Sequence, residues 1–213
     1  MPTTTELLRS EWPDRPEFHA MPSALHSAAA WKTFGKEALL FAIGDQPRCI
    51  YFVAQGEARL RRYSPEGTEM VMQRARNAFL AEASLESPAY HCDGVATEPV
   101  LALAFPMETF RIALAECPGF RASWVSHLLH EVRRARAQVE RQGLRNAGAR
   151  ILHYLETECP SGQLRLNQTR KAWAADLGLT HEAMYRALGQ LSRQGILRVD
   201  GQLIEKVNRK ATT

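Results

Sequence analysis

The chain has 213 residues, 45% of them hydrophobic and 23% charged, with a net charge of +4. That balance suits a soluble globular protein with a real core, and no apolar run of about 18 residues is present to span a membrane. The charge is unevenly placed: ten Lys/Arg against six Asp/Glu from Arg150 onward, seventeen of each before it, which points to a polyanion contact in the last third.

Residues 1–36 are broken by Pro13, Pro16 and Pro22, with a short helical piece expected over 23–31. The N-terminus lacks a basic-then-apolar leader, so a cytoplasmic location is expected. From Ala38 the pattern changes to short β-prone runs at 39–43, 50–53, 57–63, 68–74, 94–97 and 99–105. Ser64-Pro65-Glu66-Gly67 supplies a turn in which proline presets φ. Short strands at this spacing predict a β-sandwich or barrel. Residues 107–115 predict a short helix stopped by Pro118.

Residues 119–147 hold no proline, and Val125, Val132, Val139 and Asn146 recur every seven positions. Leu128, Leu129 and Ala135 fill the intervening positions, so the stretch predicts a long helix with a coiled-coil-like seam. At 1.5 Å per residue it would run about 40 Å, longer than one small domain needs. The alternative is a bent helix packed on its own barrel. A separate amphipathic helix is expected over 149–158, ended by Pro160-Ser161-Gly162. These boundaries divide the chain into residues 1–118, a long helix over 119–147 and a C-terminal piece over 148–213.

Residues 169–194 carry the clearest functional signal. Thr169 can cap a helix over 169–177, Gly178 gives a tight exit, and Thr180 can cap a second helix from His181 to about Gln194. This is a helix-turn-helix. On the second helix Met184, Leu188 and Leu191 share one face, and His181, Glu182, Tyr185 and Arg186 share the other. Arginine can bond guanine O6 and N7 together, and glutamate can accept from cytosine N4. Glu182 and Arg186, four apart, can also brace each other. Arg170 and Lys171 suit phosphate contacts. Apolar runs on either side of Asp200-Gly201 predict a hairpin, the wing of a winged helix-turn-helix. A plain helical hairpin with a solvated charged face is the alternative.

The chain resembles the CRP/FNR family of bacterial transcription regulators from about Trp31 onward. Residues 50–62 (IYFVAQGEARLRR) look like the family's β-roll signature. Phe79-Leu80-Ala81-Glu82 sits where the phosphate-binding cassette would be, and residues 182–186 (EAMYR) look like the recognition-helix motif. The resemblance implies an α+β architecture: an N-terminal β-roll effector domain, a long dimerisation helix and a C-terminal winged helix-turn-helix. It implies a homodimer on a palindromic operator, with double-stranded DNA and RNA polymerase as partners. Thr169, Arg170, Lys171, Thr180, His181, Glu182, Tyr185 and Arg186 would face DNA; Val125, Leu128, Val132, Ala135 and Val139 would form the dimer seam.

The cassette departs from the members that bind cyclic AMP. Ala81 replaces the family's glycine, the phosphate-holding arginine position falls near Cys92, and the adenine-contacting positions appear as Ala135 and Arg136. Without that arginine a phosphate lacks its main charge partner, so cyclic AMP is not expected. Glu82, Ser84, His91, Cys92 and Asp93 remain effector candidates. His91 and Cys92 are metal-ligand types that could bind zinc, copper or iron with His19, His26 or Glu82 as partners, although neighbours on a strand point to opposite faces. A packed Cys92 beside a surface His91 is the structural alternative. Haem is a third option, because haem-sensing members use an N-terminal proline, here Pro2, and a histidine near position 91. The iron–sulfur branch needs N-terminal cysteines, and none precedes Cys49. Cys49, Cys92, Cys117 and Cys159 contain no CxxC pair, so free thiols are expected. An enzyme with a cupin-like metal pocket would need closely spaced histidines; the seven here are dispersed, so no catalytic role is expected. An effector-free regulator, with the β-roll only a dimer scaffold, stays open.

Overall fold

The computed structural model describes residues 12–67, 69–159, 161–166 and 168–207. The chain divides into two compact units, Met1–His127 and Leu128–Thr213, and the division falls inside one helix.

The first unit opens with two short helices, α1 (Pro16–His19) and α2 (Ser23–Ala28). Eight strands follow: β1 (Ala30–Phe34), β2 (Leu39–Phe41), β3 (Cys49–Gln55), β4 (Ala58–Tyr63), β5 (Glu69–Ala75), β6 (Ala78–Leu80), β7 (Asp93–Ala96) and β8 (Val100–Pro106). They form two antiparallel sheets, ordered β1-β8-β3-β6 and β2-β7-β4-β5. The six predicted strands are present within one or two residues; the strand expected from Thr68 begins, among the described residues, at Glu69. The helical piece expected over 23–31 stops at Ala28, because Ala30–Phe34 pairs with β8.

Alternation along β3 explains the layering. Tyr51 and Val53 join the core between the sheets with Leu60, Ala96 and Ala102. Ile50 and Phe52 point the other way, and Phe52 meets Phe18 and Phe79. This sheet is therefore apolar on both faces, which is why IYFV and VLALAF read as unbroken runs. Gly56 (φ +76) lies where an added Cβ would sit 2.1 Å from the Pro99 carbonyl oxygen. Left-handed strain and the clash together give an expected cost for Gly56→Ala of at least about 2 kcal/mol. That corresponds to a fall of roughly 4–8 °C in the thermal midpoint, measurable by circular dichroism.

Helix α3 (Met107–Glu116) leads to α4 (Pro118–Gly143). Pro118 does not only stop α3: it begins α4, where a missing N–H costs nothing. Phe120, Trp124 and His127 form the buried face of α4, and Trp124 packs on Phe79 and Phe110. Helix α4 ends at Gly143, earlier than the 147 expected. Asn146 is not a seam residue: its side chain caps α5 (Ala147–Glu158), accepting from the Ala149 amide at 2.6 Å.

The second unit continues with β9 (Gln163–Arg165), α6 (Arg170–Asp176), α7 (His181–Arg193), β10 (Leu197–Asp200) and β11 (Leu203–Lys206). Pro160, expected to end α5, lies outside the described residues. Ile151, Leu155, Trp173, Met184, Leu188 and Leu191 close one core. The three strands order as β10-β11-β9. Asp200 pairs with Leu203, so the hairpin turns on Gly201-Gln202, one residue later than the Asp-Gly signal suggested.

Candidate DNA-reading face and effector cavity

Both helices of the helix-turn-helix are capped as their threonines suggest. Thr169 Oγ1 accepts from the Ala172 amide at 3.2 Å, and Thr180 Oγ1 accepts from the Ala183 amide at 3.1 Å. Met184, Leu188 and Leu191 are buried, whereas His181, Glu182, Tyr185 and Arg186 are exposed together on the opposite face of α7. His181 sits edge-on to Tyr185 at 4.6 Å, and the Arg170 guanidinium lies over the Tyr185 ring at 5.3 Å. Arg170 Nη2 also donates to the Gly201 carbonyl, tying α6 to the wing. Arg170 is thus partly engaged within the protein, while Lys171 stays exposed. Glu182 and Arg186 make no ion pair among the described residues, so the expected brace is absent and both are available to a ligand.

The effector candidates converge only in part. Glu82, Ser84, His91 and Cys92 line one cavity with Phe41, Leu60, Gln73 and Ala81. His91 and Cys92 share it because the chain bends there before β7 begins at Asp93; the strand geometry that would have separated them does not apply. Asp93 is elsewhere, accepting from the Ile43 amide at 2.9 Å and lying 3.6 Å from Arg61. His19 pairs with Asp14 and His26 stacks on Trp12, so neither is a partner for His91. Pro2 lies outside the described residues.

The cavity measures about 20 Å³. That is room for about one water, far below the few hundred Å³ of a usual ligand pocket. Among the described residues no Lys or Arg lines it, and Glu82 contributes an acid. These residues offer the phosphate of a cyclic nucleotide no charge partner. Ala81 nevertheless keeps a left-handed backbone (φ 76, ψ 13), the conformation that explains glycine at this position of the family. The strain, about 1–2 kcal/mol, is partly offset by burial of its methyl group, worth about 0.8 kcal/mol. Burial pushes the Cys92 thiol up, which disfavours the reactive thiolate. Among the described residues, no three His, Cys, Asp or Glu side chains converge to hold a metal.

The sequence did not flag Glu17 and His127. His127 is buried with Nδ1 3.3 Å from Glu17 and Nε2 3.8 Å from Glu82, although among the described residues neither nitrogen has a hydrogen-bond partner. They come from elements about 110 positions apart, and no spacing rule marks either.

A β-roll unit followed by a winged helix-turn-helix with an open reading face defines a transcription regulator. The model of the cyclic nucleotide-binding domain matches residues 31–117 and that of the Crp-like helix-turn-helix domain matches residues 149–211. A global nitrogen regulator of Nostoc sp. is 27% identical over 181 residues, covering 82% of this chain and 78% of that protein. The fumarate and nitrate reduction regulatory protein of Yersinia pestis is 23% identical over 192 residues, covering 84% and 76%. The structure of FixK2 from Bradyrhizobium japonicum shares the fold, with a TM-score of 0.63 at 22% identity over 85% of this chain and 93% of that one. The chain belongs to the Crp/Fnr family of transcription regulators.

Proposed function

We propose that the protein works as a homodimer that reads a palindromic operator in double-stranded DNA and meets RNA polymerase there, as a regulator and not a catalyst. The observation that carries this reading is the exposed face of α7, where His181, Glu182, Tyr185 and Arg186 project from a helix anchored by its opposite side. Two such helices one DNA turn apart would read two half-sites. The apolar stripe on α4 (Val125, Leu129, Val132 and Val139, all exposed) supports the pairing. Leu128 and Ala135 flank that stripe, the first half-buried and the second exposed. Selection from random duplexes should enrich a palindrome that resists competition by random DNA. Its affinity should fall steeply with salt, as phosphate contacts require. Enrichment of nothing, or of sites without two-fold symmetry, would defeat the reading.

In a second reading of the input the β-roll scaffolds the dimer without any effector: the cavity at His91 and Cys92 has room for about one water, although a space of about 260 Å³ lies between Leu40, Arg48, Tyr51 and Tyr90. Calorimetry against cyclic AMP, divalent metals and haem separates the two. Heat of binding with any of them removes the effector-free version.

A further inference from the structure

Two helix ends meet at one guanidinium in the second unit. The last carbonyls of a helix have no partner within it and carry the negative end of the helix dipole. Helix α4 ends at Gly143 and α6 at Asp176, and carbonyls at or just past both ends accept from Arg150, in the first turn of α5. Arg150 Nη2 donates to the Gln142 carbonyl at 3.1 Å, and Nε donates to the Leu144 carbonyl at 2.9 Å. Arg150 Nη1 donates to the Gly178 carbonyl at 2.8 Å and to that of Leu177 at 3.3 Å. One planar fork thus joins the end of the long helix to the turn of the helix-turn-helix. Gly178 (φ +63) suits this doubly: a Cβ there would sit 3.0 Å from Arg150 Nη1. Only residues 144–146 separate α4 from α5, so the angle between them depends on side-chain contacts across the joint.

We infer that Arg150 is a positioning residue: it sets the angle between the long helix and the DNA-reading helix, and through that angle the half-site spacing the protein accepts. The inference rests on the proposed dimer on a palindrome. Farther along, Arg134 and Arg141 pair with Glu158 at 3.4 and 3.1 Å, and Glu140 approaches His153 at 3.2 Å. These contacts hold α4 alongside α5 but do not touch the turn. Arg150 alone of these side chains bonds to both. Lysine cannot replace it fully, because an ammonium lacks the fork that reaches separate carbonyls in one plane.

The test uses the full chain carrying Arg150→Lys or Arg150→Met. Affinity is measured for a single half-site and for palindromes whose spacer changes by one base pair, a turn of roughly 35° each. Half-site affinity should stay within about threefold of the parent, since no reading residue is altered. Affinity for the best palindrome should fall about tenfold or more in Arg150→Met, because simultaneous engagement supplies that factor. The spacer optimum should broaden in both variants, with Arg150→Lys intermediate. An unchanged optimum overturns the inference. So does an equal loss on half-site and palindrome, the mark of a merely destabilised fold. If the parent protein gains nothing from a second half-site, the operator reading itself fails and this inference goes with it.

Discussion

Arg186→Ala should sharply reduce discrimination between operator and random DNA while leaving random binding nearly intact. Arg186 is exposed on α7, makes no ion pair among the described residues and stands one turn from Glu182. A bidentate arginine–guanine contact contributes about 1–3 kcal/mol of discrimination. A two-fold dimer makes it twice, so about 2–6 kcal/mol is at stake, roughly 30-fold to 20,000-fold in affinity. Fluorescence anisotropy on operator and scrambled duplexes at several salt concentrations reads this directly. Lys171→Ala is the contrasting variant. Exposed at the start of α6 and suited to phosphate, it should weaken every duplex alike and lower the salt slope by about one per contact. Arg186→Ala that keeps operator affinity within threefold would move base reading to other residues of the face.

The reading face was legible because its signals are local. Two threonine caps, a glycine turn and a 3.6-residue period need no information from elsewhere in the chain. Strands β1, β6 and β9 carry little local signal: AWKTF alternates weakly, and AFL and QLR are too short to show a period. The limit of α4 is not legible in sequence because Asn146 fits a seven-residue repeat and a cap equally well; only the bond to Ala149 decides. The cassette was legible in chemistry and not in size. A missing arginine is visible in sequence, but closure of the space to about 20 Å³ depends on Phe41, Leu60 and Gln73 arriving from three strands. Arg150 was out of reach for the same reason, since its four carbonyl partners lie up to 28 positions away.

Val132→Asp should convert the proposed dimer to a monomer and remove palindrome binding without harming the reading helix. Val132 is 46% exposed, Val125 48% and Val139 69%, on a helix whose buried side is already satisfied by Phe120 and Trp124. An apolar stripe with seven-residue spacing, left open beside a closed core, is the arrangement that a second copy of the same helix covers. An aspartate at the seam places a carboxylate against its own symmetry mate, and the effective cost of burying an unpaired ion is several kcal/mol. Two such ions per dimer raise the dissociation constant by about a thousandfold or more. Sedimentation equilibrium at micromolar protein should then report a single chain. Half-site binding should persist, because the core beneath α7 lies in Ile151, Trp173 and Leu188. Arg133→Glu, one residue along and exposed on the flank of the stripe, changes charge by two units outside the seven-residue repeat and serves as the control. A dimer that survives Val132→Asp would place the subunit contact on another surface. The four exposed apolar residues of α4 would then need a different partner.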